Sequence, residues 1–107
     1  MIKIIYHRDR NRVSVTGHAN SGEAGHDLIC ASASMLVYTL AVNVETLVEL
    51  GQAREPTIEL NEGDATVCCK AIRKYSAVVR LIFGSICAGF ALLAANNPDY
   101  ISYEVRG

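Results

Sequence analysis

Short runs of β-branched residues open the chain, two long apolar stretches follow, and a second β-rich region lies between them. Met1–His7 and Val13–Thr16 flank the polar turn Arg8–Arg12 and predict a hairpin. A polar loop, Gly17–His26, comes next, and Asp27 precedes "LICASASMLVYTLAVNVETLVEL". In that run Leu28, Ala31, Met35, Val42, Leu47 and Leu50 recur at helical spacing, and Gly51 is placed to end the helix. Pro56 reads as a breaker, after which "TIEL" and "ATVCCKAI" flank Asn61–Asp64 as a second hairpin. "SAVVRLIFGSICAGFALLAANN" predicts a second helix, capped by Ser76 and stopped at Asn96-Asn97-Pro98. "YISYEV" supplies a last strand. The order ββαββαβ predicts an α/β sandwich: one mixed, mainly antiparallel sheet with two helices, on one face or one on each. Gly84, Ser85, Ala88 and Gly89 would let the second helix approach the Ala/Ser-rich start of the first.

Length and charge narrow the class. A chain of 107 residues, half of them hydrophobic, fits a single domain with a real core, and no linker, repeat or low-complexity tract divides it. A net charge of −1 argues against binding nucleic acid by phosphate neutralisation. The basic cluster "HRDRNR" is interrupted by Asp9 and reads as a solvated hairpin tip. The start, "MIKIIYHRDR", lacks the pattern of a signal peptide. Ala77–Ala95 resembles a membrane span most, but it carries Arg80 and is rich in Ala and Gly, so a buried core helix is expected and no membrane partner. Cys30, Cys68, Cys69 and Cys87 form no disulfide pattern; adjacent Cys68 and Cys69 point to opposite faces of a strand, and reduced thiols in a cytoplasmic protein are expected.

The chemistry concentrates in "TGHANSGEAGHDLICASASM", Thr16–Met35. With Asp27 as N-cap, Cys30 occupies the first helical turn, where unpaired amides and the positive dipole end favour a thiolate. The Asp27 carboxylate opposes that effect, so activation calls for a cation, and His18 at the end of a strand is the candidate. A Cys–His pair supplies a nucleophile and a group to protonate a leaving amine, and amides around Cys30 and Ala31 could hold an oxyanion. Gly22 and Gly25 give the loop freedom to close over a peptide. Set against this, a cysteine near a helix start often fills a core, and Gly-His at a strand end is a common turn. A zinc site from His18, His26 and Cys30 lacks a fourth ligand and C-x-x-C spacing, so no metal or other cofactor is expected.

"GHA" at Gly17–Ala19, seven residues, then "DLICASAS" at Asp27–Ser34 resembles the signature of the Prp family of ribosomal-processing cysteine proteases, with Gly25 on the glycine before the Asp. "GFALLAANNPDYI", Gly89–Ile101, is similar to the family's second-helix end and closing strand. The resemblance implies a small cytoplasmic, homodimeric endopeptidase that removes an N-terminal extension from a large-subunit ribosomal protein. It places the nucleophile on Cys30 and the base on His18, with Asp27 and Ser34 in support, and makes Gly17, Ala19, Gly22 and Gly25 the substrate loop. His26 becomes a bystander. "NSGEAGH" is small and polar where members often carry a larger apolar residue. Two other classes fit the same residues: a non-catalytic ribosome-associated binding module that keeps Cys30 structurally, and another Cys-dependent acyl-transfer hydrolase.

Overall fold

The computed structural model describes residues 1–18 and 26–107, with the backbone alone at His26 and Asp27. The elements are β1 (Ile2–His7), β2 (Arg12–Thr16), α1 (His26–Glu49), β3 (Ala53–Asn61), β4 (Asp64–Ala71), α2 (Ser76–Asn96) and β5 (Ile101–Arg106), in the expected ββαββαβ order. They build a five-stranded sheet, β3-β4-β2-β1-β5, antiparallel except where β5 lies parallel to β1.

Strand alternation decides the layering. Ile2, Ile4 and Tyr6 of β1 share a face with Val13 of β2, Val67 and Cys69 of β4, and Ile101 of β5, all buried in one cluster with residues of both helices. Both helices therefore cover one sheet face. The reverse face carries Lys3, Ser14, Cys68 and Glu104 and stays open. α1 contributes Ile29, Ala33, Val37, Leu40, Val44 and Leu47 to the core, a stripe at spacings of three and four. α2 contributes Val79, Phe83, Cys87 and Phe90. By length and composition both helices could cross a membrane, yet only one stripe of each is buried in the fold. The expectation of α2 as a buried core helix holds for that stripe alone.

α1 closes where expected. Gly51, at φ +71°, sends its amide to Val48 O, while the Gln52 amide reaches Leu47 O at 2.8 Å, the paired bonds of a Schellman end. Three local expectations fail. Ser76 does not cap α2: a 3-10 turn, Arg73–Tyr75, runs straight into the helix, so Ser76 is already helical and its hydroxyl donates back to Arg73 O. Pro56 does not break the chain either. β3 runs through it from Ala53 because β3 is an edge strand, where a missing N–H is tolerated, and the register shifts between Arg54 and Thr57 with Glu55 at φ +50°. Of the four small residues expected to admit α1, Gly89 does so. A β-carbon there would stand 2.9 Å from Leu36 Cδ2, whereas Gly84, Ser85 and Ala88 are exposed.

Candidate active site

One cleft of about 450 Å³ opens beside the start of α1. Its floor is the sheet, through Ile2, Val15 and Ala65; α1 forms one wall with Cys30, Ala33, Ser34 and Val37. Gly17 and His18 at the end of β2 line it together with Asn61–Asp64, the tip of the β3–β4 hairpin. His18 and Cys30, predicted as a pair from residues on different elements, thus face a common space. Ser34 lines it one turn beyond Cys30.

The register of the sheet makes this juxtaposition. β2 pairs antiparallel with β4 so that Thr16 lies opposite Asp64, which sets Gly17 and His18 beside the hairpin tip. The Gly17 amide donates to Gly63 O at 2.9 Å. Gly17 itself has φ +91°, and a β-carbon on it would overlap the Met1 carbonyl, so this position admits only glycine. His18 is exposed and Cys30 half-buried: the imidazole can reach water and a substrate, and the thiol is sheltered without being sealed.

The first turn of α1 differs from expectation. The helix starts at His26, so Asp27 lies within its first turn and not at the capping position ahead of it. Cys30 stands one turn in, and the amides of Cys30 and Ala31 are used by the i→i−4 ladder, so an oxyanion would have to meet earlier amides of the first turn. Of the expected substrate loop, Ala19, Gly22 and Gly25 lie outside the described residues, as do the side chains of Asp27 and His26. Among the described residues, no three His, Cys, Asp or Glu side chains gather as metal ligands.

The other thiols are set apart by their surroundings. Burial pushes Cys69 up to about 11, with the neighbouring Cys68 adding to it. Burial likewise raises Cys87 to about 12, against the smaller opposing effect of a hydrogen bond from Tyr103. Both remain protonated at neutral pH and neither lines the cleft. The Asn-Glu-Gly-Asp pattern of the hairpin tip signals a turn, but no local signal in the sequence says that it walls a cleft.

The family profile of the cysteine protease Prp matches residues 1–102. No curated protein matches the chain as a relative. Among solved structures, SMU.848 from Streptococcus mutans is 26% identical, with a TM-score of 0.67 over 98% of this chain and 91% of that one. The ribosomal processing protease Prp of S. aureus with a covalently linked product peptide is 21% identical, with a TM-score of 0.69 over 98% and 97% of the two chains. The same protease with a substrate peptide gives 20% identity and a TM-score of 0.69, again over 98% and 97%.

Proposed function

The chain belongs to the Prp family of cysteine proteases, and we propose that it cuts a short N-terminal extension from a large-subunit ribosomal protein with Cys30 as nucleophile and His18 as base and acid. The observation that carries the residue assignment is the single cleft into which both His18 and Cys30 open, the thiol half-buried and the imidazole exposed. The substrate class rests on the family and on the peptide complexes of the S. aureus protease.

The chemistry follows from the placement. His18 takes the Cys30 proton, and the thiolate forms a bond to the scissile carbonyl carbon while the carbonyl electrons move to oxygen. Amides of the first turn of α1 meet that oxyanion. His18 returns the proton to the departing amine, the C–N bond breaks, and a thioester remains. Water, deprotonated by His18, then hydrolyses the thioester and restores the thiol. Asp27 acts on the helix start and the local charge, and Ser34 lines the cleft beside the thiol.

We place the enzyme in the cytoplasm, where ribosomal precursors are made, and assign it a homodimeric state. The outer face of the helices supports the latter: Leu28, Met35 and Val42 recur every seven residues on α1, Leu92 of α2 shares a groove with Leu28 and Met35, and Leu81 lies further along α2, all more than 60% exposed. An apolar surface of that extent calls for a partner. Met35→Lys should lower the mass measured by light scattering from dimer to monomer; an unchanged mass would remove this face as the interface.

The deciding experiment incubates the full-length chain with the ribosomal precursor and reads its mass. Wild type should shorten the precursor by its extension, Cys30→Ala should not, and His18→Ala should be slowed on the order of 10²–10⁴-fold. An intact precursor in the presence of folded wild-type protein would exclude this substrate, and cleavage by Cys30→Ala would exclude this nucleophile.

A further inference from the structure

The Asn61–Asp64 turn does more than line the cleft. Gly63 has φ +75°, and a β-carbon built on it would stand 2.6 Å from His18 Nε2 and 3.0 Å from Cε1, so the imidazole rests against the bare α-carbon. The same residue's carbonyl accepts the Gly17 amide at 2.9 Å, fixing the backbone immediately before His18. One residue thus constrains the histidine twice, through its chain and through its ring.

We propose that Gly63 is a positioning residue for His18, its missing side chain forming the seat that holds the imidazole in the cleft it shares with Cys30. The proposal rests on the reading of His18 as the base. Gly63 reaches the reaction only through that ring. Gly51 provides a control within the same molecule: its φ is +71°, and nothing lies within 4 Å of its absent β-carbon. A side chain at either glycine strains the backbone alike. Only at Gly63 does it also displace an imidazole. The obstructed atoms are the far end of a rotatable side chain, so the ring moves and the fold survives. A catalytic group misplaced by about 1 Å costs on the order of 10²-fold.

The test compares Gly51→Ala, Gly63→Ala and Gly63→Asn, each in the wild-type and the His18→Ala background. Asn tolerates a positive φ and secures a folded variant. The readouts are Tm, kcat and KM on a synthetic peptide spanning the extension junction, and the rate at which iodoacetamide alkylates Cys30. Gly51→Ala and Gly63→Ala should lose similar Tm. Only the Gly63 variants should lose kcat, by about 10²-fold with KM little changed, and alkylate more slowly. In the His18→Ala background, Gly63→Ala should cost no more than Gly51→Ala, because the group it displaces is gone. Gly63 variants with the kcat of Gly51→Ala would overturn the proposal, as would a Gly63 effect that persists undiminished without His18. Wild-type activity in His18→Ala alone would instead sink the reading of His18 as base, and the proposal with it.

Discussion

Cys87 lies midway along α2, 2% exposed, wedged between the helix and the sheet with Tyr103 beside it. Cys30 lies one turn into α1, half-buried and open to a cleft that also holds His18. Both helices belong to one layer and pack on one another, so fold class and residue type are constant between the two sites. What differs is access and company. Burial without a base fixes Cys87 as an apolar filler whose proton stays in place. Cys30 differs in being only partly sheltered, one turn into a helix and on a cleft that His18 also lines, which is the surrounding the proposed nucleophile needs. Reactivity here is a property of location along a helix and of what the sheet register brings alongside.

The contrast can be broken in several ways, the largest effect first. Cys30→Ala should abolish peptide cleavage, by on the order of 10³-fold or more, at nearly unchanged Tm. Cys87→Ala should do the reverse: unchanged kcat, with stability lowered by about 1 kcal/mol, or roughly 4–8 °C in Tm. Activity that tracked Cys87, or a Tm that tracked Cys30, would invert the comparison.

The thiols also make stability depend on pH. Cys69 and Cys87 titrate near 11 and 12 when folded, against 9.0 for an ordinary thiol. Between these limits the folded state holds protons that the unfolded state has lost, so each contribution is fully present below pH 9 and declines as pH rises toward 11 or 12. Urea midpoints should fall across that interval in wild type and fall less in Cys87→Ala; a flat profile would contradict the burial. The smallest effect belongs to Cys68, half-buried on the open sheet face with its thiol 3.7 Å from Arg10 O. Cys68→Ala should change stability by under about 0.5 kcal/mol. In native protein, mass-mapped alkylation should reach Cys30 and Cys68 and spare Cys69 and Cys87 until denaturant is added.

Much of this was legible in the chain. Helical spacing in Leu28–Leu50, Gly51 as its stop, both hairpin turns and the opposite facing of Cys68 and Cys69 are local facts, and local facts survive folding. Gly-His at a strand end and Cys30 near a helix start were visible for the same reason. The missed parts are those that depend on partners. Pro56 reads as a breaker until β3 is known to be an edge. Ser76 reads as a cap until the 3-10 turn before it occupies that role. The fourth wall of the cleft depends on β2 pairing with β4 at one register, Thr16 opposite Asp64, which no short window of sequence contains.

The irregularity of β3 has a further consequence, for how copies of this molecule avoid one another. An edge strand with free amides and carbonyls invites another sheet to add on. Here the invitation is withdrawn in the middle of the strand: Pro56 offers no donor, Glu55 turns the chain at φ +50°, and Arg54 and Lys70 pair with the Glu55 carboxylate at 3.2 and 3.3 Å to leave a charged fringe. Of the two edges of the sheet, β3 and β5, the one at β3 is thereby guarded against the strand addition that leads to fibres.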